Sequence, residues 1–136
     1  MPAKLLMIDD EVALTKVVGL IAGQLGLKFK ALNTSLSATE VFLDYRPDAV
    51  MLDMIMPDKD GIDVLNEIMI TGVATEIVLT SGYGEGFLKL GQGVAKFHGV
   101  DSVRVLRKPF RRDELVELLT DILHARPIAR DFPAPS

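Results

Sequence analysis

Two neighbouring carboxylates at Asp9 and Asp10, a third at Asp53, a hydroxyl at Thr80 and an ammonium at Lys108 are the side chains of this sequence best placed for chemistry. Each closes a short strand-like run or follows closely on one: apolar 5–8 leads into the acidic pair, 49–52 into Asp53 and 77–79 into Thr80, and 103–106, apolar but for Arg104, into Arg107-Lys108. Three carboxylates gathered together repel one another, and take up protons or a cation. Oxygen donors alone favour a hard ion, and Mg²⁺ characteristically takes one or two carboxylates with waters and phosphate oxygens. Beside such an ion a carboxylate stays ionised and can attack phosphorus. An ammonium and a hydroxyl can hold the oxygens of the transferring group. The chemistry that suits this set is phosphoryl transfer to a carboxylate.

That chemistry requires the separate segments to end in one place. Residues 4–8 read as a buried strand, and 11–25 as a helix with Leu14, Val17, Val18, Ile21 and Leu25 on one face. Gly26 sits where a helix end wants a left-handed residue. Residues 28–32 form a weaker strand, and Ser35 or Ser37 opens a helix carrying Val41, Phe42 and Tyr45 that Pro47 ends. A third strand spans 49–52, a Pro- and Gly-bearing turn 57–61, and a helix 62–70. Strands at 76–79 and 103–106 follow, then a helix over 111–123 with Leu115, Leu118, Leu119 and Ile122 inward. Strands alternating with helices predict an α/β fold, a parallel sheet covered on both faces. Right-handed crossovers narrow five strands to the doubly wound, flavodoxin-like (βα)5 order 2-1-3-4-5. All strands then end at one edge, where open α/β sheets bind ligands. The second strand brings nothing comparable there, as expected of an outer strand.

The 136 residues suit one domain, expected over 1–125, followed by a flexible Pro-rich tail or truncated linker over 126–136. An apolar fraction of 49% is enough for one core. A formal net charge of −4 argues against a nucleic-acid partner, which calls for a basic surplus. The absence of cysteine excludes disulfides and thiolate metal sites. No run approaches the ~20 apolar residues of a membrane span, and the acidic pair follows 5–8 too closely for a signal peptide. The cytoplasm, with no membrane partner, is the expected location. Gly82-Tyr83-Gly84-Glu85-Gly86 lacks the spacing of a nucleotide cradle and reads as a loop.

The sequence resembles the receiver domain of bacterial two-component response regulators over about 4–123. The residues that carry the resemblance are Ile8-Asp9-Asp10-Glu11, Leu52-Asp53-Met54-Ile55-Met56-Pro57-Asp58-Lys59-Asp60-Gly61, Thr80, and Lys108-Pro109-Phe110. The resemblance implies a signalling switch with Asp53 as phosphoacceptor. It implies Mg²⁺ held by Asp10 directly, by Asp9 through water or as a supporting acid, by Asp53, and by the backbone carbonyl of Ile55. Thr80 would move toward the phosphoryl group, and Lys108, carried by a cis Lys108–Pro109 bond, would pair with it. The donor would be a phosphohistidine on a sensor histidine kinase or histidine phosphotransfer protein, and an output protein or domain would read the result.

The sequence departs from the family pattern at Val105, where an aromatic residue usually couples to the threonine; Tyr83 is the nearest substitute in sequence. Glycines at 86, 91 and 93 thin the expected fourth helix, which suits either a loosely formed switch element or close packing. Arg104, Arg107, Arg111 and Arg112 gather near the fifth strand and hint at an acidic partner, unless neighbouring acids offset them. Two other functions compete. One is a receiver-like scaffold that never takes up phosphate, against which the full acidic, Thr and Lys set speaks. The other is an aspartyl-phosphate hydrolase, which calls for a second acid two residues after the nucleophile, where this chain has Ile55.

Overall fold

A computed structural model describes residues 2–82, 85–100 and 102–124. The chain alternates β1 (Lys4–Ile8), α1 (Val12–Gln24), β2 (Lys28–Leu32), α2 (Ala38–Tyr45), β3 (Ala49–Asp53), α3 (Gly61–Ile70), β4 (Glu76–Ser81), α4 (Glu85–Phe97), β5 (Arg104–Arg107) and α5 (Arg112–His124). The five strands are parallel in the order β2-β1-β3-β4-β5, the flavodoxin-like arrangement expected. The inner strands β1, β3 and β4 are buried almost throughout, as a sheet covered on both faces demands, whereas β2 lies half open at one edge.

Side chains alternate across each strand and so divide into two cores. Leu6, Ile8, Val50, Leu52, Ile77 and Leu79 face α2, α3 and α4. Leu5, Met7, Ala49, Met51, Val78 and Leu106 face α1 and α5. Register does the rest. Ile8 pairs with Leu52 and Asp53 with Thr80, so β1, β3 and β4 end at one level.

The inward face of α1 differs from the sequence expectation. It is built on Thr15, Val18, Ile21 and Ala22, while Val17 is 52% exposed and Leu14 and Leu25 are only partly covered. Gly19 belongs to this face: a Cβ there would lie 2.8 Å from the Phe29 ring of β2. Gly26, at φ 86°, makes the expected left-handed turn, and Arg46, at φ 53°, turns α2 before Pro47. Neither Ser35 nor Ser37 caps α2; Ser37 holds the N-cap position without a side-chain hydrogen bond.

Helix α4 is continuous over its 13 residues, and its glycines differ. At Gly91 a Cβ would fall 2.7 Å from Leu79 Cδ1 and 2.9 Å from Met54 Cε, so close packing accounts for that one. A Cβ at Gly86 or Gly93 would meet nothing within 4 Å among the described residues. Among the described residues, no helix is long and apolar enough to cross a membrane. The expected tail, 126–136, and Tyr83 lie outside the described residues.

Candidate functional site at the carboxyl edge of the sheet

Asp9 follows the last residue of β1, Asp53 closes β3, and Thr80 is the penultimate residue of β4. Parallel register therefore delivers all three to one edge, at 0%, 5% and 1% exposure. Asp10 is exposed beside them. Asp9, Asp10 and Asp53 each offer a carboxylate oxygen, and these oxygens lie within 4.8 Å of one another. From the end of β5, Lys108 brings Nζ to 2.7 Å from Asp9 Oδ2 and 3.2 Å from Asp53 Oδ2, with Glu11 Oε1 at 3.7 Å. The Lys108 N–H donates to the Ser81 carbonyl at 2.9 Å, and the Lys108–Pro109 bond is cis.

Backbone groups fix the acids. The Ile55 N–H donates to Asp53 Oδ1 at 3.1 Å, and the Glu11 N–H to Asp9 Oδ1 at 2.9 Å. After Asp53 the chain folds back tightly: the Met54 N–H donates to the Thr80 carbonyl at 2.9 Å and the Gly61 N–H to the Met54 carbonyl at 3.1 Å. A Cβ at Gly61 would lie 2.4 Å from the Asp53 carbonyl oxygen, so only glycine fits that approach.

Burial pushes the Asp53 carboxyl above the ordinary range, and the negative charge of Asp9 adds to this; the Ile55 N–H and Lys108 pull it part of the way back. Burial acts on Lys108 in the opposite sense, but its hydrogen bond to Asp9 and the charges of Asp9 and Asp53 outweigh burial and raise it. Lys108 thus stays cationic and leaves negative charge in excess among the three acids.

Asp9 Oδ2 is engaged by the Lys108 ammonium at 2.7 Å, but the buried Thr80 Oγ1 has no hydrogen-bond partner among the described residues. A buried polar atom without a partner costs stability unless a ligand engages it. With an oxygen-only donor set and surplus negative charge, the residues fit a hard cation such as Mg²⁺ beside an oxygen-rich group.

Every side chain proposed from the sequence reaches this edge; of Ile55, it is the backbone N–H that meets Asp53. The sequence reading missed Asn33, directly after β2, whose Nδ2 donates to the Asp9 carbonyl at 2.9 Å. The second strand's end is thus not without a contribution. The expected basic patch does not stand free either. Arg104 lies 3.5 Å from Glu76, Arg107 2.6 Å from Glu85, Arg111 3.0 Å from Asp113, and Arg112 3.0 Å from Gln24. Acids of the chain itself thus offset Arg104, Arg107 and Arg111, whereas the partner of Arg112 is a neutral amide. Val105 is partly buried against the core that α2, α3 and α4 cover.

A family model described as the response regulator receiver domain matches residues 5–120. The chemotaxis protein CheY of Halobacterium salinarum is 31% identical over 88 residues, 65% of this chain and 69% of that protein. The transcriptional regulatory protein TrcR of Mycobacterium tuberculosis is 28% identical over 122 residues; the match takes in 90% of this chain and 46% of that longer protein. In structure, the chemotaxis protein CheY4 of Vibrio cholerae superposes with a TM-score of 0.77 at 21% identity, covering 90% of this chain and 100% of the other.

Proposed function

The chain belongs to the response regulator receiver domain family, and on that premise we propose that it is a phosphorylation-dependent signalling switch whose phosphoacceptor is Asp53. The observation that carries the residue assignment is one sheet edge holding a buried carboxylate, an ammonium 3.2 Å from it and a buried hydroxyl without a partner. In this reading an oxygen of Asp53 attacks the phosphorus of a phosphohistidine on a sensor histidine kinase or histidine phosphotransfer protein. An O–P bond forms, the N–P bond breaks, and the histidine nitrogen leaves with the bonding pair. Hydrolysis of the aspartyl phosphate resets the switch, and these self-directed steps are the only chemistry assigned to the chain.

Asp10 directly, Asp9 through water or as a supporting acid, Asp53 and the Ile55 carbonyl would hold Mg²⁺. When bound, the ion supplies positive charge against the phosphoryl oxygens. Lys108, already shared between Asp9 and Asp53, pairs with one phosphoryl oxygen, and the Thr80 hydroxyl donates to another. Those contacts exist only in the phosphorylated state, which is what a population shift requires; inverting 1:99 to 99:1 takes ~5.5 kcal/mol of differential interaction. The working unit is a cytoplasmic domain over 1–125, with 126–136 as tail or linker. An output protein or domain reads it, and it makes no direct contact with nucleic acid.

Intact mass after incubation with a small phosphodonor and Mg²⁺ tests the proposal. A stable gain of one phosphoryl group, absent from Asp53→Asn, is expected. No gain points instead to a receiver-like scaffold, and free phosphate released with turnover to a hydrolase.

A further inference from the structure

The end of β2 gives the acidic edge a side chain with two donors and two uses. Asn33 Nδ2 donates to the Asp9 carbonyl at 2.9 Å and to Thr15 Oγ1 at 3.2 Å. Thr15 Oγ1 can accept because its own proton goes to the Val12 carbonyl at 2.8 Å. On the other side of the same residue, the Asp9 N–H donates to the Leu32 carbonyl at 3.0 Å. Residues 32 and 33 therefore grip the Asp9 backbone from both ends, while the Glu11 N–H orients its carboxylate at 2.9 Å. Thr34 continues the pattern by donating to Asp58 Oδ2 at 2.9 Å, so consecutive residues tie down the connections that follow β1 and β3. Asparagine is the residue for this place. Aspartate offers acceptors only, and glutamine carries the same donors one methylene farther out.

We propose that Asn33 is a positioning residue for cation binding, holding the β1–α1 connection so that Asp9 and Asp10 present their carboxylates toward Asp53 before the ion arrives. The inference rests on the reading of that cluster as the Mg²⁺ site. Groups that orient metal ligands typically change affinity 10–100-fold. Asn33 is exposed and acts through the backbone, so a smaller loss, roughly threefold to tenfold, is expected.

The test is calorimetric titration of Mg²⁺ into the wild-type chain, Asn33→Ala and Asn33→Asp, each well below its own melting midpoint. Asn33→Asp separates the causes. It adds a negative charge near the cation, which Coulomb attraction alone turns into tighter binding, yet it removes both donors. Both variants are expected to bind Mg²⁺ more weakly. Phosphorylation by a small phosphodonor at saturating Mg²⁺ should return to within about twofold of wild type, the KM for Mg²⁺ rising while the limiting rate holds. Wild-type affinity in Asn33→Ala, or equal or tighter binding by Asn33→Asp, overturns the proposal. A wild-type chain that binds no Mg²⁺ overturns the reading of the cluster itself and the proposal with it, so the two failures are told apart by one control.

Discussion

Alanine at Gly91 and alanine at Gly93 are the same chemical change two residues apart in α4, and the structure assigns them opposite outcomes. An interior helical glycine is worse than alanine by about 1 kcal/mol, through backbone entropy. At Gly93 a new Cβ meets nothing within 4 Å, so the whole gain is realised. For a chain of this size that is a rise of roughly 3–5 °C in melting midpoint. At Gly91 the Cβ lands 2.7 Å from Leu79 Cδ1 and 2.9 Å from Met54 Cε, the ends of flexible side chains that could swing aside in open space but are here fully buried. Overpacking of that kind costs about 1–3 kcal/mol. The propensity gain offsets part of it, which leaves Gly91→Ala between neutral and about 2 kcal/mol destabilised. Because propensity cancels in the comparison, the difference between the variants, about 1–3 kcal/mol, reports only how closely α4 lies on the sheet. Urea unfolding of the three proteins measures it. If Gly91→Ala stabilises as much as Gly93→Ala, the contact with Leu79 and Met54 is not a constraint, and the packing account of α4 is refuted.

Thr80→Val removes a buried hydroxyl without a partner among the described residues, so the unphosphorylated protein should keep or gain stability, by up to about 1 kcal/mol. A drop of more than about that amount in urea unfolding would mean the hydroxyl is bonded in the resting state. The Lys59 ion pair and the Thr39 hydroxyl, 2.7 Å away, hold Glu67 below the usual carboxylate range. Its stabilisation is therefore present above the unfolded carboxylate value of about 4.3 and fades as pH falls through the lower folded value. Glu67→Gln should cost at most about 1 kcal/mol at neutral pH, the pair being partly exposed, and nothing in strong acid; a pH-independent cost in thermal melts would contradict the ion-pair assignment. Arg107 grips Glu85 with two bonds of 2.6 and 2.7 Å, joining the first residue of α4 to the residue before Lys108. Arg107→Ala should speed amide exchange in the first turn of α4 and leave the global midpoint nearly unchanged. Unchanged exchange there would show that the pair holds nothing.

The sheet was legible because burial on both faces leaves a plain trace. Ala49, Val50, Met51 and Leu52 run apolar without alternation, and the abrupt charge of Asp53 marks the end of the run. Parallel register then does the geometry, and no further information is needed to bring Asp9, Asp53, Thr80 and Lys108 together. Helix faces were less legible. Val17 suits an inward position by hydrophobic period, but Thr15 lies inside and Val17 outside, with Gly19 on the face toward Phe29. Periodicity counts apolar side chains, and a glycine at the contact has none.

The same limit explains why Asn33 and the arginine pairs were invisible. A strand-end carboxylate is conspicuous because charge is costly where it stands, so its presence demands a reason. Asn33 sits on the half-open edge strand, where a polar residue needs no reason at all, and its value comes from the Asp9 carbonyl, 24 positions away in the chain. Arg107 and Glu85 are likewise unremarkable surface residues until folding sets them side by side. The strand-end charges are read from what each residue costs where it stands, whereas the groups that hold them are read only from what folding brings beside them. The contacts of α4, Arg107 with Glu85 and Gly91 against Leu79 and Met54, are of that kind.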